Sequence, residues 1–194
     1  MRPRLLIINA GKSGLSGQSG AISKLIQQEY QNSWEIEELV LQSVSDVDIW
    51  RAKINRADAF FFLTGTYWDS WSSYLQNFLE ETTSWETSEL WLGKPAAVVV
   101  TMHSVGGKGV LSRLQGVLNT LGLVLPPLGG MVYSLNSHLA KESSSSPMIS
   151  DFWGLEDIKV IMNNLLMLTT MLVPRKGDWA VWDVDRTNFE RPWL

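Results

Sequence analysis

The sequence predicts an α/β protein built on a mostly parallel, five-stranded sheet with helices on both faces. Three observations carry that prediction. Short apolar runs, continuous rather than alternating, read as strands buried on both faces. These runs take turns with segments of helical periodicity, the order that right-handed crossovers impose on a parallel sheet. Three of the runs also end in turns rich in glycine and polar side chains, where open sheets of this kind bind ligands.

Leu5-Leu6-Ile7-Ile8 is the first strand. From about Gly17 to Tyr30, Ile22, Leu25 and Ile26 recur at helical spacing. Trp34 and Ile36 alternate with Glu35 and Glu37 and lead into Leu39-Val40-Leu41, the second strand. Asp46 is placed to cap a helix with Val47, Trp50 and Ile54 on one side. Ala57 to Leu63 is the third strand, ending at Thr64-Gly65. Trp71, Tyr74, Leu75, Phe78 and Leu79 then mark one face of a helix. Pro95 to Thr101 is the clearest strand of the chain. Gly106-Gly107 opens a helix carrying Leu111, Leu114, Leu118 and Leu121, and Gly122 closes it.

Met131-Val132-Tyr133 is the fifth strand. Asn136 to Ser150, with four consecutive serines and Pro147, is expected to be a polar loop. Leu155, Ile158, Ile161, Leu165, Leu168 and Leu172 form a last helix, stopped by Pro174. No repeat or linker divides the chain, so residues 1–194 are expected to form one domain, with 174–194 as an aromatic-rich C-terminal tail. Trp179, Trp182, Phe189 and Trp193 in that tail are expected to pack on the body or on a second subunit, because such aromatics rarely stay in water.

Composition narrows the function. The net charge is −4 and the basic residues are scattered, which gives no field for nucleic acid. With no cysteine, the chain has no disulfide, thiolate nucleophile or cysteine-held metal. No run approaches the roughly 20 apolar residues that cross a bilayer, so no membrane is expected. A soluble, cytoplasmic protein is the expectation.

The chemistry concentrates in three turns. The first, Asn9 to Gly20, contains Gly11, Lys12, Ser13, Ser16, Gly17, Gln18 and Ser19. Its glycines allow close backbone approach, its hydroxyls donate to anionic oxygens, and the following helix start attracts a phosphate. The bland alternative is a flexible Gly/Ser loop. Gly11-Lys12-Ser13 copies the end of a P-loop, but Leu6 stands where that motif needs its first glycine. The glycines also lack the dinucleotide-binding spacing, and no carboxylates cluster as in a phospho-receiver. A small, hydroxyl-lined monophosphate site remains.

The second turn, Thr64-Gly65-Thr66-Tyr67-Trp68-Asp69-Ser70-Trp71, combines hydroxyls with aromatics. Tyr67 and Trp68 suit the wall of a flat heteroaromatic ring, whereas Trp71 reads as the start of the next helix's apolar face. The third turn, Met102-His103-Ser104-Val105-Gly106-Gly107, offers backbone N–H groups to ring carbonyl oxygens. His103 is the candidate catalytic side chain, to hydrogen-bond a ligand or assist proton transfer. A solvated or structural role is the alternative for a lone loop histidine.

Together these motifs resemble the flavodoxin-like superfamily, in particular its NAD(P)H-dependent FMN reductase and quinone reductase branch. Gly11 through Ser19 is similar to the family's Gly-Ser-x-Arg-x-x-Gly-Asn-Thr loop. Thr64-Gly65-Thr66-Tyr67 through Leu75-Gln76-Asn77-Phe78-Leu79-Glu80 is similar to Thr-Pro-x-Tyr through Leu-Lys-Asn-x-Ile-Asp. Gly93-Lys94-Pro95, Gly106-Gly107 and Leu121-Gly122 complete an ordered match over roughly residues 4 to 135. The chain departs from the pattern at Lys12, Gly14, Gly65 and Gln76, where serine, arginine, proline and lysine are usual. The phosphate site therefore leans on Ser13, Ser16, Gln18 and Ser19, with Lys12 for charge.

The resemblance implies a flavodoxin-like three-layer sandwich with strand order 2-1-3-4-5. It implies FMN as cofactor, NAD(P)H as electron donor and a quinone or flavin as small-molecule acceptor, in a homodimer or higher homo-oligomer. The implied cofactor contacts are Gly11, Lys12, Ser13, Ser16, Gly17, Gln18, Ser19, Thr64, Gly65, Thr66, Tyr67, Trp68, Met102, His103, Ser104, Gly106 and Gly107, with no metal. A non-enzymatic electron carrier, or a degenerate protein-interaction domain, is the alternative. Carriers of this fold tend to be strongly acidic, and a charge of −4 leans toward the enzyme.

Overall fold

The computed structural model describes residues 2–143, 154–175 and 177–181. Five strands, β1 (Arg4–Asn9), β2 (Glu35–Val40), β3 (Ala59–Gly65), β4 (Ala96–Met102) and β5 (Gly130–Ser134), form one sheet in the order β2-β1-β3-β4-β5. Every neighbouring pair is parallel. The helices are α1 (Gln18–Tyr30), α2 (Val47–Arg56), α3 (Ser73–Glu81), α4 (Gly107–Leu121), α5 (Leu135–Ser143) and α6 (Ile158–Leu172). This is the flavodoxin-like arrangement that the sequence leads one to expect.

The alternation of side chains along each strand divides the interior into two cores. Leu6, Ile8, Phe60, Phe62, Val98 and Val100 face α2, α3 and α4. Leu5, Ile7, Phe61, Leu63, Val99 and Met131 face α1 and α6. Central strand β3 is buried at every position, which explains its apolar run from Ala59 to Leu63. Each such fully buried Leu, Ile, Val or Phe contributes about 1.5–3 kcal/mol. On the first face, Phe60, Phe78, Trp50 and Trp91 form an aromatic cluster, with ring centroids 5.1 Å apart for Trp50–Phe78 and 5.0 Å for Phe60–Trp91. Such bulk keeps the sheet rigid beneath the turns that follow it.

Local signals set the helix ends. The Asp46 carboxylate accepts from the N–H groups of Asp48 (2.9 Å) and Ile49 (3.3 Å), capping α2. Ser72 Oγ accepts from Leu75 N–H at 3.2 Å and caps α3. Gly106 precedes α4 and Gly122 ends it.

Three details differ from the sequence expectation. Thr64 and Gly65 belong to β3, and Met102 to β4, because the parallel ladder continues through Gly65↔Thr101 and Met102↔Ser134. The polar loop expected from Asn136 to Ser150 is helical up to Ser143, and 144–150 lie outside the described residues. Helix α5 buries no residue, so it lacks the apolar stripe by which helices are read. Its support is local: Ser134 Oγ accepts from Ser137 N–H at 3.3 Å, His138 meets Glu142 one turn on at 3.3 Å, and Lys141 pairs with Glu156.

After α6, Val173–Arg175 form a single 3-10 turn. Trp179 then lies against Gly93, where a Cβ would sit 2.1 Å from its indole Nε1. Trp182, Phe189 and Trp193 lie outside the described residues.

Candidate functional site

Parallel pairing brings the carboxyl ends of β1, β3 and β4 to one rim. Asn9 stands beside Leu63, and Gly65 beside Thr101. Backbone hydrogen bonds extend the ladder into the turns: Ala10 N–H to Leu63 O at 2.8 Å, and Thr66 N–H to Thr101 O at 2.7 Å. Rigid strands therefore hold all three sequence-singled turns side by side.

The first turn is more ordered than a Gly/Ser loop. Gly11 N–H donates to the Asn9 side-chain oxygen (3.0 Å), and Gly14 N–H to Gly11 O (2.9 Å). A 3-10 turn over Gly14–Ser16 follows, with Ser16 Oγ donating to Ser13 O at 2.8 Å. The first turn of α1 then folds back closely, such that a Cβ at Gly20 would lie 2.2 Å from the Leu15 carbonyl oxygen. Lys12, Ser13 and Ser16 are exposed, Gly17 and Gln18 half-buried, and Ser19 buried against Gly11. Gly17 leaves α1 with no side-chain cap, so the first N–H groups of that helix, at the positive end of its dipole, receive no side-chain partner from the capping residue.

The second turn is a tight hairpin. Tyr67 and Ser70 exchange N–H···O bonds of 2.8 and 3.0 Å, and the two residues between them, Trp68 and Asp69, have φ of 50° and 57°. Positive φ at two non-glycine residues costs about 1–2 kcal/mol each, and such strain concentrates at functional sites. The hairpin sends its two aromatics in different directions. The Tyr67 ring lies on Gly65 and its hydroxyl accepts from Lys12 N–H at 3.2 Å, tying the second turn to the first. Trp68 is 100% exposed. Thr64 is fully buried, and its hydroxyl accepts from Ser72 N–H at 3.2 Å, so it shapes the turn. The hydroxyl of Thr66 is buried with no hydrogen-bond partner, a costly state for a polar group. Two indoles share that state in the described residues, those of Trp34 and Trp91, both in the apolar cores.

In the third turn, the His103 carbonyl accepts from Asn136 N–H (3.0 Å) and Ser134 Oγ (3.1 Å), while the imidazole is exposed, as is Ser104. Gly107 packs against Met102 and Val132, a close approach of α4 to the sheet. Gly106 has φ of 87° and lies against Asp69 and Thr66: a Cβ there would be 2.1 Å from Asp69 Oδ1. Arg113 of α4 donates to the Asp69 carbonyl and stacks 5.6 Å over the Trp71 ring. Trp71 is partly buried at the head of α3, its indole donating to Gln76 Oε1 at 2.8 Å.

The turns thus form one connected rim: the first joins the second through Lys12 and Tyr67, and the second joins the third through Asp69 and Gly106. The sequence reading placed Asn9 and Asp69 within the turns but gave them no role, and it did not single out Arg113. Asn9 carried a signal, being a polar residue at the end of an apolar strand; the other two depend on contacts between distant segments. The rim fits a flat ligand with an anionic end. It combines an uncapped helix start beside serine hydroxyls, an orphaned hydroxyl at Thr66, and an aromatic hairpin.

Two clefts lie elsewhere and share no residue with the three turns. One, of about 450 Å³, runs between α2 and the segment after α3, past Arg51, Asn55, Trp85 and Ser88. The other, of about 440 Å³, lies at the start of β1 and β2 among Arg4, Glu35, Lys53 and Arg56. The second is crossed by ion pairs, Arg4–Glu35, Lys53–Glu37 and Arg56–Glu37, which give it a structural explanation. Among the described residues, no helix is long and apolar enough to cross a membrane, and no group of three His, Cys, Asp or Glu side chains is placed to hold a metal ion.

Solved structures share this fold at low sequence identity. RosB with a bound 8-demethyl-8-formylriboflavin-5'-phosphate intermediate matches with a TM-score of 0.66 and 15% identity, over 99% of this chain and 94% of its own. The flavoenzyme NAD(P)H:(acceptor) oxidoreductase FerB from Paracoccus denitrificans gives 0.59 and 18%, over 88% and 98%. General stress protein 14 from Treponema denticola, in complex with FMN, gives 0.58 and 15%, over 87% and 99%. No curated protein sequence matches the chain. The sequence profile of the NADPH-dependent FMN reductases matches residues 15–136, a stretch that begins in the first turn, spans all of the second and third, and ends just past β5. The chain belongs to the NADPH-dependent FMN reductase family, with FMN as cofactor and NAD(P)H as electron donor.

Proposed function

We propose that the rim binds FMN and that the protein is an NAD(P)H-dependent oxidoreductase acting on a quinone or flavin acceptor. The observation that carries this reading is the meeting of three turns at one rim, the first of them at an uncapped helix start. The start of α1, with Ser13, Ser16, Gly17, Gln18 and Ser19, holds the 5'-phosphate, and Lys12 adds positive charge. Thr64, Gly65, Thr66 and the Tyr67–Trp68 hairpin bound the ring on one side. Met102, His103, Ser104, Gly106 and Gly107 bound it on the other.

FMN held by these turns would supply the redox chemistry, hydride transfer from NAD(P)H to the acceptor. The chain's own groups position and select. The unpartnered Thr66 hydroxyl supports a polar contact to a ligand at this turn. The exposed side chains Leu15, Trp68 and Val105, one from each turn, surround the rim and suit an apolar, flat acceptor. His103, exposed in the third turn, is the side chain we assign to donate to the acceptor oxygen, a role that needs no pre-formed triad.

Steady-state oxidation of NADPH by the FMN-loaded protein, with a quinone added as acceptor, tests the activity. Quinone-dependent turnover is expected. Flavin-loaded protein that leaves NADPH unoxidised would remove the enzyme and favour an electron carrier.

A further inference from the structure

We infer that Asn9, with Glu38 and Gln27 behind it, is a positioning residue that sets the shape of the phosphate turn and thereby the preference for a phosphorylated flavin. This rests on the FMN reading above and names the group that tunes it. Asn9 ends β1 on the α1 side of the sheet and is fully buried. Its carboxamide acts at both ends. Oδ1 accepts from the Gly11 N–H at 3.0 Å, and Nδ2 donates to Glu38 Oε1 at 3.0 Å. Glu38, on β2 beside Ile7, accepts on its other oxygen from Gln27 Nε2 of α1 at 2.9 Å, and Gln27 also reaches Ser23 Oγ at 3.0 Å. The chain of bonds runs from the phosphate turn through β1 and β2 into the helix whose start faces the phosphate.

The chemistry of this position is narrow. The Gly11 N–H requires an acceptor, and the Glu38 carboxylate requires a donor. An amide supplies both; a carboxylate supplies the first and repels the second; an alkyl chain supplies neither. Ser19 also packs against Gly11, so a shift of Gly11 is transmitted to a hydroxyl of the proposed phosphate site. Buried polar networks are rigid when every member is satisfied and costly when one is not. Asn9 itself does not face the rim, and its effect passes through Gly11 and Ser19.

The test compares FMN with riboflavin, which lacks the phosphate, by fluorescence titration of the intact chain. Asn9→Asp is expected to lower FMN affinity by about tenfold to a hundredfold and to leave riboflavin affinity unchanged. The swapped pair, Asn9→Asp with Glu38→Gln, places the amide on β2 and the carboxylate on β1, so both bonds can form again. It is expected to restore the FMN-to-riboflavin ratio. A negative charge at position 9 acting alone would depress the ratio in both variants and would overturn the inference. Equal loss of both flavins, or an unchanged ratio in Asn9→Asp, would overturn it too. If Asn9→Asp does not fold, the swapped pair decides: a near-wild-type ratio supports the inference and a lowered ratio contradicts it. Wild-type protein that binds no FMN would remove the cofactor reading itself, an outcome distinct from a wild type that binds and a variant that does not change.

Discussion

Helices α2 and α3 start behind Asp46 and Ser72, whose side chains accept from first-turn N–H groups. Helices α1 and α4 start behind Gly17 and Gly106, which have no side chain to offer. All four follow a strand of the same parallel sheet, so the contrast does not come from topology. It lies in what answers the N–H groups that every helix start leaves open. At α2 and α3 the chain answers them itself, and those starts are structural. At α4 an acidic side chain from another turn, Asp69, lies against the start. At α1 a serine-rich turn surrounds the start, which on the proposed reading is answered by the phosphate of FMN. On that reading, the capping residue separates a helix start that closes on itself from one that takes a ligand.

That contrast can be broken in several ways. The largest effect is expected at the junction where the first turn meets α1. A Cβ at Gly20 would sit 2.2 Å from the Leu15 carbonyl oxygen, so backbone must move. Gly20→Ala is expected to lose about 3 kcal/mol of stability in urea denaturation and to abolish tight FMN binding. A variant as stable as wild type would mean the close approach is not required.

Gly17→Asp converts a ligand-facing start into a self-capped one. Gly17 already has extended φ and ψ of −94° and −178°, the conformation of a capping residue, although Ser13 must give slightly. FMN affinity is expected to fall by about tenfold or more, from the occupied N–H groups and the added negative charge. Riboflavin affinity should be untouched in the same titration. Equal effects on both flavins would place the phosphate elsewhere.

Asp46→Ala is the reciprocal case. It should cost about 1 kcal/mol in chemical denaturation and leave FMN affinity as it was. A loss of FMN binding would erase the distinction between the two kinds of start.

The smallest effect concerns the exposed Glu156. The hydrogen bond from Lys141 holds its carboxyl below the usual 4.5, with further help from its own backbone N–H. A depressed folded value means that its stabilising contribution is present above about pH 4.5 and is lost as pH falls through the lowered value. Lys141→Ala should remove this slight acid sensitivity of the α5–α6 region in pH-dependent melting, without altering the rim.

How much of this was legible in the sequence follows from burial. Strands β3 and β4 are covered on both faces, so Ala59–Leu63 and Ala96–Val100 had to be apolar and could be read directly. Asp46 was legible as a cap because capping is local. Helix α5 was not, because a helix with no buried residue writes no apolar period into its sequence. The three turns stood out in the sequence as a candidate site because glycine, hydroxyls and aromatics gather after buried strands. The links between them were not. Lys12 meets Tyr67, and Asp69 meets Gly106, only because parallel pairing aligns strand ends that are remote in sequence. Asn9 falls between these cases: its polarity at the end of Leu5–Ile8 was visible, but its partner Glu38 on the neighbouring strand was not.

Amide hydrogen exchange with and without FMN tests the central claim most directly, because it reads each helix start separately. The account predicts that FMN protects residues 11–20, 64–70 and 102–107 and leaves the Asp46–Trp50 and Ser72–Gln76 starts as they were. Protection centred on the cleft by Arg51 and Trp85, or spread equally over capped and uncapped starts, would contradict it.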